Sequence, residues 1–185
     1  MNKKILLTGA NGFIGQHVLQ ALKSKDLEFN IVVRENTKIN PKIIKHVNKV
    51  IYTKDLFNES TEWWIKHCSD ISVVLHLAWY TEPGKYLNSL KNLHCLMGSY
   101  RLAEGAKIAK VKRFVGIGTC AEYDLSKGLL SIDTPLKPKT LYGSSKVALF
   151  YVLRDFFRES SIEFAWCRLF YLYGEGEHPE RLIPY

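Results

Sequence analysis

The sequence predicts a doubly wound parallel α/β sheet in three layers. Three observations predict it. Short apolar runs rich in Ile, Val, Leu and Phe recur along the chain, helix-length segments separate several of them, and the first run leads directly into Gly9, Gly12 and Gly15 at three-residue intervals. Such continuous apolar runs are the mark of strands buried on both faces. Alternation of strand and helix places ligands at the carboxyl ends of the strands. The 185 residues, 46% hydrophobic and 24% charged, suffice for one packed domain and not for two large ones.

The first strand is expected at 4–8, and the glycines that follow fit a tight turn whose backbone closely approaches a pyrophosphate. The helix at 13–25, opening at Phe13, then turns its N-terminus toward that charge. Gly9, Asn11, Gly12, Phe13, Ile14 and Gly15 are therefore the expected cofactor turn, although a glycine-rich turn without a ligand reads the same way as a bare pattern. The spacing is Gly-x-x-Gly-x-x-Gly and not the commoner Gly-x-Gly-x-x-Gly.

The second strand, 30–34, ends in Val32-Val33-Arg34-Glu35. At this distance from the turn an acidic residue would bind a ribose 2′-hydroxyl, whereas an arginine accommodates a 2′-phosphate. Arg34 favours NADP; Glu35 keeps NAD open, and Arg34 also reads as a solvated strand-end charge. After the third strand, 49–53, Asp55 and Leu56 fit the adenine edge, and Asp55 equally fits the start of the helix at 58–68. The fourth strand covers 72–77. The helix at 86–110 carries Leu90, Leu93 and Met97 at helical spacing.

The fifth strand, 113–118, delivers Thr119 to a carboxyl end. Residues 124–140, with Pro135 and Pro138, have turn chemistry and are expected to loop over the site. The helix at 141–160 carries Val147, Phe150 and Tyr151 at helical spacing and also Tyr142 and Lys146, four apart on one face. The ammonium of Lys146 is expected to lower the phenol's pKa from its usual value near 10 and so make Tyr142 a general acid or base. Thr119 fits a hydroxyl that binds a substrate carbonyl. Taken singly these residues read as a cap, a packed aromatic and a surface charge; together, behind a cofactor turn, they describe a redox site. The sixth strand spans 162–170, and 171–180 reads as a loop entering a further region.

Several classes are excluded. The chain has no run of about eighteen apolar residues and no secretory pattern at its start, so neither a membrane span nor an exported protein is expected. Cys68, Cys95, Cys120 and Cys167 are widely spaced, which suggests neither a zinc site nor a small disulfide framework and fits reduced thiols in the cytoplasm. The net charge of +8 is scattered rather than gathered in a block, so it argues for an anionic ligand such as a diphosphate and against nucleic acid. No internal repeat or low-complexity tract is present.

Five segments carry a resemblance: Thr8 to Gly15, His76-Leu77-Ala78, Gly118-Thr119-Cys120-Ala121-Glu122-Tyr123, Tyr142-Gly143-Ser144-Ser145-Lys146, and Arg168 to Gly174. In this order they resemble the extended short-chain dehydrogenase/reductases of the NAD-dependent epimerase/dehydratase family, which implies a Rossmann fold. The resemblance implies that Thr119, Tyr142 and Lys146 form a catalytic triad, that Lys146 also holds the nicotinamide ribose, and that Leu77, Ala78 and Trp79 line the cofactor. It further implies a nucleotide-diphosphate sugar substrate, pairing of two copies through the helix bearing Tyr142 and its neighbour, and a C-terminal substrate portion that is truncated or absent in this chain.

Departures narrow the expectation. Dehydratases of this type carry Asp-Glu directly after the Thr, where this chain has Cys120-Ala121. The segment looks more like the 4-ketoreductases of deoxysugar nucleotides. Cys120 fits an acid or base in an epimerisation, by analogy with a cysteine displaced by one residue in a related enzyme, or a small buried hydrophobe. Cys95 stands where relatives have an Asn near the cofactor, with Asn92 one turn earlier, and Tyr171 stands where many have an Asn that touches substrate. The expectation is reduction of the C4 keto group of a nucleotide-linked 6-deoxy-4-keto sugar. A 4-epimerase and a non-catalytic dinucleotide-binding module are the alternatives.

Overall fold

A computed structural model describes residues 3–39, 41–45 and 47–177. Six parallel strands, β1 (Lys3–Thr8), β2 (Leu27–Arg34), β3 (Val47–Thr53), β4 (Val73–His76), β5 (Arg113–Thr119) and β6 (Glu163–Leu169), form one sheet in the order β3-β2-β1-β4-β5-β6. The helices are α1 (Phe13–Leu22), α2 (Pro41–Ile44), α3 (Thr61–Cys68), α4 (Lys91–Ile108) and α5 (Leu141–Arg158). Because strand order reverses on either side of β1, a crevice opens at the carboxyl ends of β1 and β4, and this is where such sheets bind ligands.

Alternate residues of each strand face opposite layers. Leu6, Val32, Val74 and Phe114 pack with Trp64, Leu102, Leu149 and Leu153 of α3, α4 and α5, while Ile5, Leu7, Phe29, Ile31 and Val33 pack with Leu19 of α1. The apolar runs hence read as strands because both faces are covered.

Two differences from the sequence reading stand out. Leu90, Leu93 and Met97 recur at helical spacing as read, and they line the exposed face of α4. The inner face is made of small and polar residues: Asn92, Cys95, Gly98, Ser99, Leu102, Ala103, Gly105 and Ala106. Close approach explains this, since a Cβ on Gly98 would stand 2.5 Å from the Phe57 Cα and one on Gly105 2.5 Å from the Trp64 Cβ. The helix also begins at Lys91 rather than 86, because residues 82–90 are occupied by turns.

The second concerns 124–140. The segment is an excursion pinned at its base by Asp124 N–H on the Pro135 carbonyl (2.8 Å) and Lys137 N–H on the Glu122 carbonyl (2.9 Å). It leans toward β6, not over the glycine turn: Leu130, Ser131 and Ile132 close a cavity of about 380 Å³ with Tyr123, Trp166, Arg168 and Phe170. The end of the stretch 171–180 lies outside the described residues.

Candidate active site

At the end of β1 the chain must reverse within a few residues, and each glycine answers a different demand. Gly9 has φ +76°, and a Cβ there would meet Ala78 N at 2.8 Å. Gly15 lies on the first turn of α1 directly over the turn backbone, where a Cβ would stand 2.2 Å from the Gly9 carbonyl oxygen and 2.8 Å from the Ala10 Cα. Gly12 is the N-cap of α1 and offers no side chain to its free N–H groups, and no acidic residue lies in the first turn. Beside them the Asn11 Oδ1 is buried without a hydrogen-bond partner. An orphaned acceptor, free helix N–H groups and a cradle that any Cβ would fill fit a dinucleotide, whose diphosphate takes the N–H groups and whose hydroxyls supply the donor.

His76, at the end of β4, is buried between Thr8 Oγ1 (2.7 Å from Nδ1) and Ser99 Oγ (2.7 Å from Nε2). Burial, then the nearby Lys146 charge, pushes its pKa down to about 3, so the ring is neutral. The Ser99 hydroxyl donates to the Cys95 carbonyl at 2.7 Å and Thr8 Oγ1 accepts from Ala78 N–H at 3.2 Å. These two bonds fix the tautomer: Ser99 must accept from Nε2–H, and the Thr8 hydroxyl must donate to Nδ1. One ordered chain of bonds ties the glycine turn, the β4 end and α4 together.

Thr140 caps α5 through Gly143 N–H (3.1 Å), and Tyr142 and Lys146 follow within its first two turns. The Tyr142 phenol lies close enough to the side chain of Thr119, the last residue of β5, for that hydroxyl to oppose the rise in its pKa. Tyr142 also meets Tyr86 edge-on, centroids 4.9 Å apart, and Trp79 at 6.5 Å. Lys146 is buried, donates to the Ile117 carbonyl at 2.6 Å and lies 3.8 Å from the Trp79 ring centroid.

The structure thus brings Thr119, Tyr142 and Lys146 together, but it corrects the expected electrostatics. Burial pushes the phenol up to about 12, opposed by the Thr119 hydroxyl, with Tyr86, Glu122 and Cys120 raising it further. The lysine is not aimed at the phenol: its ammonium is committed to Ile117 and Trp79, and burial pulls its own pKa down to about 7 against the opposing influence of Glu122 and Cys95. In this state the phenol holds its proton at neutral pH.

The other expected cofactor contacts lie along the same sheet edge. Arg34 is exposed at the end of β2. Asp55 does not begin α3, which is capped by Ser60; it accepts from Phe57 N–H at 3.0 Å and pairs with His94 at 2.8 Å, next to half-buried Leu56. Leu77, Ala78 and Trp79 follow β4 and are half-buried. The Trp79 indole N–H donates to Asn92 Oδ1 (2.8 Å), and the Asn92 amide donates to the Tyr86 and Ser89 carbonyls, so Asn92 holds the protein to itself. Cys95 and Cys120 are buried with their thiols pushed up, Cys95 to about 11. Both stay protonated, as small buried hydrophobes do.

Sequence reading missed Glu122, which is fully buried one residue past the site of the expected Asp-Glu pair. Its carboxylate accepts from Thr119 N–H at 2.9 Å, the Trp166 indole N–H at 3.1 Å and Arg168 Nε at 2.7 Å. The signal was present as Thr-x-x-Glu, the spacing of a capping box, here closed over a 3-10 turn at Cys120–Glu122.

Comparison with known proteins decides the family. The model of the NAD dependent epimerase/dehydratase family matches residues 5–185. The chain belongs to that family. It is 26% identical over 204 residues to a dTDP-D-glucose 4,6-dehydratase of Dictyostelium discoideum, covering 98% of this chain and 46% of that protein. Over 172 residues it is 26% identical to a dTDP-6-deoxy-L-talose 4-dehydrogenase (NAD(+)) of Aggregatibacter actinomycetemcomitans, covering 92% and 62%. Among solved structures, a UDP-glucuronic acid 4-epimerase from Bacillus cereus in complex with NAD superposes with a TM-score of 0.75 at 26% identity, covering 96% of this chain and 60% of that one. The chain spans about half the length of the relatives it matches. The family is NAD-dependent, and the preference for NADP drawn from Arg34 gains no support from these relatives. Among the described residues no helix is long and apolar enough to cross a membrane, and no cluster of His, Cys, Asp and Glu is placed to hold a metal.

Proposed function

We propose that this chain carries the redox half of an enzyme that reduces the C4 keto group of a nucleotide-diphosphate 6-deoxy-4-keto sugar. The observation that carries the reading is a Tyr142 phenol set edge-on to Tyr86 and Trp79, with the buried Lys146 over the Trp79 ring and Thr119 at the adjoining end of β5; burial keeps the phenol's proton on at neutral pH, as donation to a carbonyl oxygen becoming an alkoxide requires. A nicotinamide supplies the hydride when bound. Gly9, Asn11, Gly12, Phe13, Ile14 and Gly15 would hold its diphosphate, Asp55 and Leu56 the adenine end, and Leu77, Ala78 and Trp79 the wall beside it. Thr119 would orient the substrate oxygen, Tyr142 would give it the proton, and Lys146 would hold the ribose with the N–H groups its bond to Ile117 leaves free. Cys120 and Ala121 offer no carboxylate for removing water, which argues against a dehydratase.

Arg34 supports NADP, and relatives solved with NAD support NAD. A second copy of the chain is the proposed partner for the outer face of α4 and α5, where Leu93, Met97, Tyr151 and Val152 remain exposed.

The test is to titrate the purified chain with NADPH and NADH, add a panel of dTDP- and UDP-linked 4-keto-6-deoxy sugars, and follow nicotinamide absorbance. Oxidation by the wild type that vanishes in Tyr142→Phe is expected. Cofactor binding without oxidation of any substrate would favour a non-catalytic module. The second reading, a 4-epimerase, is favoured by the likeness to an NAD-bound 4-epimerase. Cofactor that copurifies and resists exchange would select it, because such an enzyme returns the hydride it takes.

A further inference from the structure

Glu122 is a buried carboxylate that the reaction above does not use, and its surroundings are built around it. Both Oε1 and Oε2 lie against the Trp166 indole N–H (3.1 and 3.2 Å), and Arg168 closes the far side. The notch it fills exists because residue 118 is glycine: a Cβ there would stand 2.3 Å from Glu122 Oε1 and 2.3 Å from the Trp166 Nε1. Arg168 is itself held between the rings of Phe150 (4.5 Å) and Tyr123 (5.2 Å). With both oxygens committed to Thr119, Trp166 and Arg168, the carboxylate serves the protein's own groups and offers no oxygen to a substrate. Its remaining bond runs to the backbone N–H of Thr119, while the Thr119 hydroxyl accepts from Ala121 N–H at 3.2 Å. With the backbone pinned and one lone pair taken by Ala121, the position of the hydroxyl oxygen is fixed near Tyr142 and Cys120, the two groups whose ionisation it influences.

We propose that Glu122 is a positioning residue: clamped by Arg168 and Trp166 of β6, it fixes the backbone of Thr119 and so presents the Thr119 hydroxyl to Tyr142. The proposal rests on the catalytic reading of Thr119 and Tyr142 given above. It makes β6 part of the active site without touching substrate, and it explains why an acidic residue sits one place beyond the position a dehydratase would use.

Removing Glu122 alone would leave the half-buried arginine without its counter-ion, so the test removes both charges. Glu122→Gln/Arg168→Gln keeps an acceptor for Thr119 but loses the clamp. It is made in the wild type and in Thr119→Ala, with Tyr142→Phe as a blank. If Glu122 acts through the Thr119 hydroxyl, the double substitution lowers kcat about 100-fold in the wild type, the scale of a misplaced catalytic group. It then lowers kcat less than about threefold in Thr119→Ala, with cofactor Kd unchanged in both. Equal losses in the two backgrounds would overturn the proposal, since a merely structural role is blind to that hydroxyl. Should the wild type turn over no 4-keto sugar, the proposed reaction fails and positioning is read instead from 15N-threonine spectra. There, at least about tenfold faster exchange of the Thr119 amide in the double variant supports the clamp, and unchanged protection refutes it.

Discussion

Replacing Gly15 by Ala should damage both the fold and the cofactor turn, by an amount the geometry sets. The new methyl would lie 2.2 Å from the Gly9 oxygen, more than 1 Å inside ordinary contact, and 2.8 Å from the Cα and carbonyl oxygen of Ala10. All three obstacles are backbone atoms, so no rotamer change relieves the clash. Overpacking of this kind costs about 1–3 kcal/mol or more, and the better helix propensity of Ala returns at most about 1 kcal/mol. A net loss of about 1–2 kcal/mol is expected from urea unfolding. Relief comes from pushing α1 off the turn, which misaligns N–H groups meant for a diphosphate. Losing one charge-assisted bond worth about 1.5–3 kcal/mol weakens NADH binding at least about tenfold, measured by fluorescence titration. Gly12→Ala, whose methyl would lie 3.3 Å from the same oxygen, should cost less stability. If Gly15→Ala melts like the wild type and binds NADH within a factor of two, the close packing of α1 on the turn is not what glycine serves here.

Tyr142→Phe should abolish turnover, below about 1% of wild type, while NADH affinity changes less than threefold, because the phenol's proton and not its ring is the reacting group; retained activity would remove Tyr142 from the chemistry. His76 is neutral in the fold and titrates near 6.5 when unfolded, so the unfolded state binds the extra proton between about pH 3 and 6.5 and stability falls as pH drops through that window. Between pH 7.5 and 5.5 this group alone should cost about 1.4 kcal/mol; in His76→Asn the urea-measured difference between those two pH values should shrink by about that amount, and no change would mean the ring is not buried neutral. Arg34→Ala should weaken NADPH at least tenfold and leave NADH within threefold, by titration; equal effects on both would assign Arg34 to the surface. Met97→Asp should shift sedimentation toward the monomer if two copies meet on α4 and α5, and an unchanged sedimentation coefficient would place any contact elsewhere.

The strands, the glycine turn and the neighbourhood of Thr119, Tyr142 and Lys146 were legible in the sequence because each is a local pattern: a run, a spacing of three, a spacing of four. The inner face of α4 was not, because its code is smallness. Gly98 and Gly105 make sense only once Phe57 and Trp64 are seen pressed against them. Likewise the partners of Glu122 lie 44 and 46 positions away on β6, and no periodicity announces them.

What the sequence determined by itself was the parallel sheet, the glycine turn after its first strand, and that Thr119, Tyr142 and Lys146 would gather at the carboxyl ends of the strands, since backbone geometry converts spacing into position. What tertiary structure alone decided was their charge. The Lys146 ammonium spends its hydrogen bond on the Ile117 carbonyl and its field on the Trp79 ring, while burial holds the proton on Tyr142. Protonation depends on solvent exclusion and on groups brought in from other strands and helices, and these exist only after the chain has folded.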